Sequence, residues 1–316
     1  MADVSDWAVF ARTAELNSLS AAGRELRLSA AVVSSRIAKL EKQLGVRLLN
    51  RTTRRVNLTE EGQLFYEHCT RILKEIDLIE TTIGQRSERP RGAITVTAPA
   101  GFGRLHIAPF MPAFAKRHPE VQVRLHLTDR ITDVIRDGTD IAIRIGDLKN
   151  YSFIARKLAA NTRAIVAAPA YLAAHGVPRT PGDLLRHNCL LLRFPGSQQY
   201  QWTLKGADGP ITLAVQGNLD SDNGEVLTGW CRAGAGLALK SLWEVGDDIR
   251  SGALEVVLPD WEPLGHAIHA LYPHSRLLPP RVRAFIDFLA GIYGPRPYWE
   301  TGRPAPAVDD APAELA

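Results

Sequence analysis

The chain has 316 residues, of which 45% are hydrophobic and 23% charged, and its formal net charge is +4. This length exceeds one ordinary core, so more than one domain is expected. Cys69, Cys189 and Cys231 are far apart without a CxxC pair, and neither a signal peptide nor an apolar run of some twenty residues occurs. These features exclude a disulfide-stapled secreted protein and a membrane-spanning protein, and they predict a reduced, cytoplasmic one.

Two short helices with a tight turn between them are predicted in the first 45 residues. Ser18 and Ser29 each precede a helix and can accept a hydrogen bond from an unpaired amide of its first turn. The second helix has an apolar stripe at i, i+4, i+7 and i+11, which must pack inward. This stripe consists of Val33, Ile37, Leu40 and Leu44. Gly45 is placed to end the helix as a left-handed residue. Gly23, inside the first helix, should cost about 1 kcal/mol unless a close contact needs the space.

The opposite face of the second helix has small side chains near its start and basic ones further on, so that the helix end can approach base edges closely. Residues 46–59 follow as two short strands, near 48–50 and 56–58, whose tip carries arginines suited to the DNA backbone or minor groove. This unit is a helix-turn-helix with a wing, and we expect it to bind double-stranded DNA. The expected DNA-facing residues are Ser29, Ala30, Ala31, Ser34, Ser35, Arg36, Lys39, Arg51, Thr52, Arg54 and Arg55.

The charge distribution agrees with this expectation. Residues 20–59 contain nine basic and two acidic side chains, a net charge of +7, whereas the other residues together carry −3. Such local basic character is what a phosphate-binding module requires. An ordinary helical subdomain with a solvated basic face is the alternative interpretation of the same pattern.

A long helix is predicted from residue 60 to about residue 86. Thr59 can cap it, Glu60 and Glu61 suit the positive end of its dipole, and the segment contains no proline. Apolar residues recur at alternating steps of four and three, which is a heptad seam of nearly three repeats. The seam consists of Phe65, Cys69, Ile72, Ile76, Ile79 and Ile83. We expect it to pair two chains, with packing on the chain's own domain as the alternative.

Beyond the break at Pro90 and Gly92, alternating strands and helices predict an α/β domain with a largely parallel sheet. Strands are expected at 94–97, 121–127, 140–145, 155–158, 163–168, 189–193, 211–215, 237–240, 254–258 and 267–272. Helices are expected at 104–117, 131–137, 223–233 and 282–292. Two hundred residues exceed one α/β core, so two lobes are expected. Residues 294–316 are rich in proline, alanine and acids, which predicts disorder.

In its N-terminal residues the chain resembles a LysR-type transcriptional regulator, and the similarity extends to about Leu289. The match is long and gapless. It includes Phe10, Ala14-Glu15, Ser18-Leu19-Ser20-Ala21-Ala22, Leu26, Leu28-Ser29, Val33-Ser34, Ile37, Leu40-Glu41, Leu44-Gly45-Val46-Arg47-Leu48-Leu49, Arg51 and Leu58-Thr59-Glu60-Glu61-Gly62. The family often has glutamine, or a proline-containing pair, where this chain has Ala30-Ala31, so the family's base contacts are not carried over to that position.

The resemblance implies an α/β protein in which a winged helix-turn-helix and a long linker helix precede a two-lobed effector domain like type 2 periplasmic binding proteins. The implied domains are the winged helix-turn-helix at 1–59, the linker dimerisation helix at 60–88, lobe I at 92–162 and 268–293, and lobe II at 163–267. The implied function is ligand-responsive transcriptional regulation at a palindromic operator, by a homodimer or homotetramer. RNA polymerase is a further candidate partner.

The effector site is predicted from sheet geometry, because ligands of open α/β sheets bind outside the carboxyl ends of strands and near helix N-termini. This rule selects Pro99, Ala100, Gly101, Phe102, Thr128, Arg144, Gly146, Ser221 and Asp222. Free amides at the turn around Pro99 and at the turn around Ser221 could hold a carboxylate, with Arg144 as its counter-charge. We therefore expect a small carboxylate or aromatic metabolite, and the alternative role of Arg144 is an inter-strand salt bridge.

No motif in the sequence indicates catalysis, a cofactor or a metal. HExxH, GxSxG and P-loop patterns are absent, and His266 and His269 point to opposite faces of a predicted strand. Two functional alternatives stay open. One is a redox-sensing regulator that uses Cys189 and Cys231, although burial as small apolar side chains is the simpler interpretation. The other is a solute-binding α/β protein with a helical head.

Overall fold

The computed structural model describes residues 3–51, 56–83, 89–129, 139–146, 153–193, 200–206, 209–273 and 278–306. The chain divides into two compact units, one within the first 88 residues and the other from residue 89 onward. The expected helix at 131–137 and the expected DNA-facing residues Thr52, Arg54 and Arg55 lie outside the described residues.

The first unit contains the predicted helix-turn-helix and wing. Its elements are helices α1 (Val4–Leu16), α2 (Leu19–Leu26) and α3 (Ala30–Leu44), antiparallel strands β1 (Leu49–Arg51) and β2 (Val56–Leu58), and helix α4 (Glu60–Ile83). Both predicted caps are confirmed, because Ser18 Oγ accepts from the Ala21 amide and Ser29 Oγ accepts from the Val32 amide, each at 3.2 Å. Gly45 has the left-handed φ of 73° that ends α3.

The core of the first unit departs from the predicted stripe at one position. Val33, Ile37 and Leu40 are fully buried, but Leu44 is 39% exposed. The reason is that the helix ends at the next residue, and Leu48 of the following segment packs in the core together with the stripe. A Cβ on Gly23 would lie 2.6 Å from the Leu28 carbonyl oxygen, so a close contact does need the missing side chain.

Helix α4 begins where it was predicted, with Thr59 Oγ1 accepting from the Gly62 amide at 2.9 Å. The expectation that its whole seam serves dimerisation is wrong for the first two positions. Phe65 makes edge contacts with Trp7 and Phe10, at centroid distances of 5.8 and 5.3 Å, and Cys69 is buried. These two residues belong to the core of their own unit because α1 packs against α4, whereas Ile72, one turn later, is 39% exposed.

The second unit is a mixed α/β structure. Its strands are β3 (Gly92–Ala98), β4 (Val121–Leu127), β5 (Ile141–Ile145), β6 (Phe153–Ala159), β7 (Arg163–Ala167), β8 (Cys189–Leu192), β9 (Gln201–Gly206), β10 (Gly209–Ala214), β11 (Asp220–Ser221), β12 (Leu237–Ser241), β13 (Glu255–Val257), β14 (Glu262–Pro263) and β15 (Ile268–Pro273). Its helices are α5 (Ala100–His106), α6 (Met111–Arg117), α7 (Pro169–His175), α8 (Gly224–Arg232), α9 (Leu242–Ser251), α10 (Pro280–Tyr293) and α11 (Tyr298–Thr301).

Two five-stranded sheets define the two lobes of this unit. The first has the order β4-β3-β5-β15-β6 and the second β11-β8-β12-β7-β13, while β10, β9 and β14 form a separate antiparallel sheet. The expectation of a largely parallel sheet is wrong. In the first sheet β15 is antiparallel to both β5 and β6, because it returns from the other lobe rather than from a helical crossover. The chain passes between the sheets at residues 160–162 and again at 264–267.

The predicted continuous helix at 104–117 is divided in the structure. Helix α5 ends at His106, a 3₁₀ turn spans Ala108–Phe110, and α6 begins at Met111. Pro109 and Pro112 explain the division, since proline lacks the amide donor that a continuous α-helix needs at these positions.

The expected disorder from residue 294 onward is wrong for residues 294–306. Trp299 is only 6% exposed, and its ring lies 4.7 Å from that of His106 and 5.1 Å from that of Tyr293. Glu300 Oε1 accepts from the Thr162 amide at 2.8 Å, at the point where the chain crosses between lobes. Helix α11 also packs against α9 of lobe II. We call residues 297–302 the C-terminal clasp, because they contact both lobes despite a composition typical of a tail.

Candidate nucleic-acid interface and effector cleft

The first turns of α3 present most of the residues that were predicted to face DNA. Ser29, Ala30, Ala31 and Ser35 are exposed, and Ser34 is half-buried. Val32, which sequence reasoning did not single out, is 41% exposed beside them. Its position off the buried stripe was the available signal, and its methyl groups suit contact with a thymine methyl. This end of the helix is therefore small, capped and accessible.

Two cations further along α3 converge on one carboxylate from α1. Lys39 Nζ lies 3.2 Å from Asp6 Oδ2, and Arg36 Nη1 lies 3.8 Å from Asp6 Oδ1 and 3.3 Å from Ser5 Oγ. Asp6 is 3% exposed, whereas the Lys39 side chain is 59% exposed. Sequence reasoning missed Asp6, although it precedes Val9 and Phe10 by three and four residues. That spacing places an acid on the buried face of a helix.

The base of the wing is attached to the same helix. Glu41 Oε1 accepts from the amides of Leu48 and Leu49, at 2.9 and 3.1 Å, so β1 starts at a defined position beside α3. Arg51 pairs with Val56 at the end of β1. The start of the wing is thus attached to the C-terminal part of α3.

In the second unit, α5 of lobe I meets α8 and α9 of lobe II. A Cβ on Gly101 would lie 3.5 Å from Glu225 Cγ and 3.6 Å from the Trp243 ring. Arg104 and Glu225 form an ion pair between the lobes. Glu225 and Trp243 were not among the expected residues, because nothing in their local sequence marks them as neighbours of a turn more than 120 residues earlier.

The amides that were expected to hold a ligand carboxylate are already paired. The Ala100 amide donates to Asp129 Oδ1 at 2.9 Å. At α8, Asn223 Oδ1 accepts from the amides of Glu225 and Val226, and Ser221 Oγ accepts from the Asn223 amide. The expectation of free amides is therefore wrong for Ala100, whose acceptor Asp129 follows β4, and for Glu225 and Val226, whose acceptor is the N-cap residue Asn223.

Phe102 is not a surface for a ligand. It is fully buried in the core of lobe I, with ring centroids of Trp243 and Trp299 at 5.4 and 5.8 Å. The expectation that Phe102 lines the effector site is therefore wrong, because its side chain, in the first turn of α5, packs into the lobe.

The other expected effector residues occupy the edges of the interlobe region. Pro99 precedes α5 and Thr128 follows β4, where its amide donates to the Ala98 carbonyl. Arg144 is half-buried near the end of β5, its Nη1 donating to the Ile143 carbonyl at 3.1 Å. No atom of the described residues lies within 4 Å of a Cβ built on Gly146. Asp222 is exposed.

Carboxylates dominate the electrostatics where the lobes meet. The pKa of Asp129 is raised, mainly because burial disfavours the charged form, and Glu225, Glu244 and Asp222 add to the effect. Lys240 and Glu244 form a buried ion pair at 2.7 Å, and burial lowers the pKa of Arg163 to about 10. These carboxylates disfavour a ligand carboxylate near Asp129, and Arg144 is the one basic residue among the nine expected effector residues.

A cavity of about 520 Å³ lies between α5, α8, α9, the C-terminal clasp and the residues that follow it. None of the nine expected effector residues lines it. Three of its four arginines form ion pairs within this region, Arg104 with Glu225, Arg232 with Asp248 and Arg250 with Asp247. The predicted cleft and this cavity are therefore lined by different residues.

The described parts of the chain offer no sign of metal chemistry. They contain no group of three His, Cys, Asp or Glu residues that could hold a metal ion. Nor does any helix within those parts have the length and apolarity needed to cross a membrane.

Cys189 and Cys231 are both buried, in two different core clusters of lobe II. Burial raises the pKa of each thiol to about 12, because the thiolate would lose its solvation. Both thiols are therefore protonated and shielded at neutral pH.

Comparison with known proteins agrees with both units. Residues 4–63 match the family described as bacterial regulatory helix-turn-helix protein, lysR family, and residues 87–292 match the LysR substrate binding domain. The chain is 38% identical over 286 residues to the HTH-type transcriptional regulator DmlR of Escherichia coli strain K12, covering 90% of this chain and 93% of that protein.

Solved structures of full-length regulators are similar over nearly the whole chain. CrgA, a LysR-type transcriptional regulator from Neisseria meningitidis, has a TM-score of 0.58 and 32% identity, covering 90% of this chain and 97% of its own. The Vibrio cholerae virulence activator AphB has a TM-score of 0.60 and 28% identity, covering 92% and 99%. Because these relatives are regulators along their full length, the alternative of a solute-binding protein with a helical head is not supported. The chain belongs to the LysR family of bacterial DNA-binding transcriptional regulators.

Proposed function

We propose that the protein reads a palindromic operator in the cytoplasm through the exposed start of α3, with the wing contacting the backbone beside it. The observation that carries this proposal is the capped, small-residue end of α3, with Arg36 and Lys39 one to two turns further along. Small side chains allow close approach to base edges, and cations add sequence-independent attraction to phosphates. Arg51, Thr52, Arg54 and Arg55 of the wing are proposed as backbone contacts.

The test is a footprint of the full-length protein on the DNA upstream of its own coding region, together with in vitro selection of duplexes. Arg36→Gln and Lys39→Gln should each weaken binding and reduce the salt slope by about 1, as expected for one lost phosphate contact. Arg186→Gln removes the same charge from an 80% exposed side chain in the other unit and serves as the control. Equal effects of all three variants would contradict the proposed interface.

We propose that two chains pair through α4 beyond Cys69, because the earlier seam positions are used by the first unit itself. Ile72, the next position of the seam, is 39% exposed. A dimer presents two recognition helices to two half-sites, and it can associate further into a tetramer. Ile72→Glu should shift the sedimentation of the full-length chain toward the monomer. Leu127→Glu replaces an apolar residue of similar exposure in the second unit and should not.

We propose that a small metabolite binds at the interlobe cleft near Arg144 and Gly146, and that its binding favours one arrangement of the lobes. The positive charge of Arg144 supports a carboxylate as the ligand, and an aromatic metabolite is the second candidate. RNA polymerase is proposed as a further partner.

The test is a thermal-shift screen of small carboxylates and aromatic acids, because a ligand that binds only the folded state raises the melting temperature. Arg144→Gln should abolish the shift caused by a carboxylate hit. Arg156→Gln, in the same sheet and paired with Asp287, should leave it unchanged. Retention of the shift in Arg144→Gln would overturn the assignment of Arg144.

The redox alternative is disfavoured by the protonated, buried state of Cys189 and Cys231. The two thiols also lie in separate core clusters of lobe II, so a disulfide between them would require repacking of the lobe. Serine at both positions should leave any response to peroxide unchanged. Loss of such a response would restore the redox assignment.

A further inference from the structure

A carboxylate in the first turn of α1 contacts side chains of α3, the helix that is proposed to face DNA. Asp6 is buried, and its two oxygens face Lys39 Nζ at 3.2 Å and Arg36 Nη1 at 3.8 Å. Ser5, the preceding residue, accepts from the same Arg36 nitrogen through its hydroxyl at 3.3 Å. Both cations are therefore held by α1 on one side and remain solvated on the other.

Burial makes this arrangement obligatory rather than incidental. A carboxylate that is taken out of water loses its hydration and must be compensated by a cation or by donors. Because Asp6 is 3% exposed while the Lys39 and Arg36 side chains are 59% and 37% exposed, the acid defines where the mobile side chains go. Without it, two long side chains would sample many rotamers.

We propose that Asp6 is a positioning residue for DNA recognition, which orients Arg36 and Lys39 and thereby raises discrimination between operator and non-specific DNA. When Asp6 orients the two cationic side chains, they contact DNA only where phosphates and base edges fit the docked helix. Without this orientation the side chains can contact any phosphate, which gives sequence-independent affinity. Asp6 also opposes non-specific attraction through its own negative charge. The inference rests on the proposed DNA contacts of Arg36 and Lys39.

The main test compares Asp6→Asn with the wild type on two duplexes, one obtained by in vitro selection with the wild-type full-length protein and one shuffled. We expect the variant to bind the shuffled duplex more tightly, with a salt slope steeper by about 1 for each phosphate gained. Discrimination between the duplexes should fall by roughly ten-fold. Asp6→Glu, which retains the charge, should recover part of the discrimination.

Glu15→Gln is the matched control. It lies on the same helix, loses the same charge and breaks an ion pair with Arg12, which is not a proposed DNA contact. Its discrimination should stay within about two-fold of the wild type, since only the general charge effect remains. Equal discrimination in Asp6→Asn and Glu15→Gln would overturn the inference, as would a parallel loss of affinity for both duplexes in Asp6→Asn.

A second variant covers the case in which Asp6→Asn does not fold. Ser5→Ala removes only an exposed hydroxyl beside Arg36, and it should lower discrimination in the same direction by a smaller factor. Unchanged discrimination in Ser5→Ala would then overturn the inference. If Arg36→Gln and Lys39→Gln leave both affinities unchanged, the proposed interface itself fails. If those two variants weaken binding while Asp6→Asn retains discrimination, only the role of Asp6 fails.

Discussion

Helix α3 and the interlobe region differ in how far apart along the chain the contacts that form them lie. Helix α3 is capped by Ser29 and ended by Gly45, and its buried stripe lies between these two residues. In the interlobe region, Arg104 meets Glu225, His106 meets both Trp243 and Tyr298, and Thr162 meets Glu300. The first surface is determined by a single amphipathic segment, whereas the second is assembled from five segments spread over some two hundred residues.

The difference shows where each kind of variant should act. A change in a local cap should affect the helix that contains it. A change in the C-terminal clasp should affect the union of both lobes, because the clasp contributes to the core of one and contacts the other.

Trp299→Ala should destabilise the second unit by roughly 3–5 kcal/mol, the usual cost of truncating a buried large aromatic side chain. The loss is measured by equilibrium urea unfolding of the full-length chain, from the change in the transition of the second unit. Tyr200→Ala, which truncates a 40% exposed aromatic residue of the same unit, should cost far less. A loss below about 1 kcal/mol for Trp299→Ala would mean that the clasp is not part of this core.

Acidification should weaken the second unit through His106. Burial between the clasp and α9 lowers the pKa of His106 to about 4 from an ordinary 6.5, because the imidazolium would lose its solvation. Between pH 4 and pH 6.5 the unfolded chain binds more protons than the folded one. The contribution of neutral His106 to the free energy of unfolding is therefore complete above pH 6.5 and is lost as the pH falls toward 4. The loss should reach up to roughly 3 kcal/mol.

Urea unfolding at pH 7 and at pH 4.5 checks this prediction. His106→Gln should flatten the difference between the two pH values. His118→Gln, at a less buried histidine of the same lobe, should flatten it less. Identical pH dependence in the wild type and His106→Gln would show that His106 is not the responsible group.

Ser29→Ala should destabilise the first unit by about 1 kcal/mol, because the Val32 amide loses its acceptor at the start of α3. Ser20→Ala, at an exposed position inside α2, is the control. Thermal unfolding should show the loss in the transition of the first unit only. An equal effect on both units would contradict the local character assigned to α3.

The Arg104–Glu225 ion pair should contribute little to the union of the lobes. The side chains are 58% and 36% exposed, so a double-mutant cycle with alanine should give a coupling below about 1 kcal/mol. The Arg156–Asp287 pair, within lobe I and similarly exposed, offers a matched cycle. A coupling of several kcal/mol would show that the ion pair, and not the clasp, is the principal contact between the lobes.

Much of the DNA-binding unit could be predicted because its signals are short in range. Ser18, Ser29, Thr59 and Gly45 occupy the helix ends where their side chains or backbone conformations are needed, and the heptad pattern located α4. The effector region was predicted less well. The acceptors on the Ala100 and Glu225 amides could not be assigned from a rule about strand ends alone.

Local signals predicted the order of α2, α3, the wing and α4, the helix caps, the local excess of positive charge and, through a long motif, the family. They did not predict α7, α9 or α11, and packing between distant segments settled which residues of a correct pattern are buried. It placed Phe65 and Cys69 in the first unit's core, Phe102 in lobe I, and Trp299 against His106 in a segment whose composition suggested a tail. The physical reason is that periodicity and capping depend on neighbours within one or two turns. Burial and charge pairing depend on whichever distant segment packs on top.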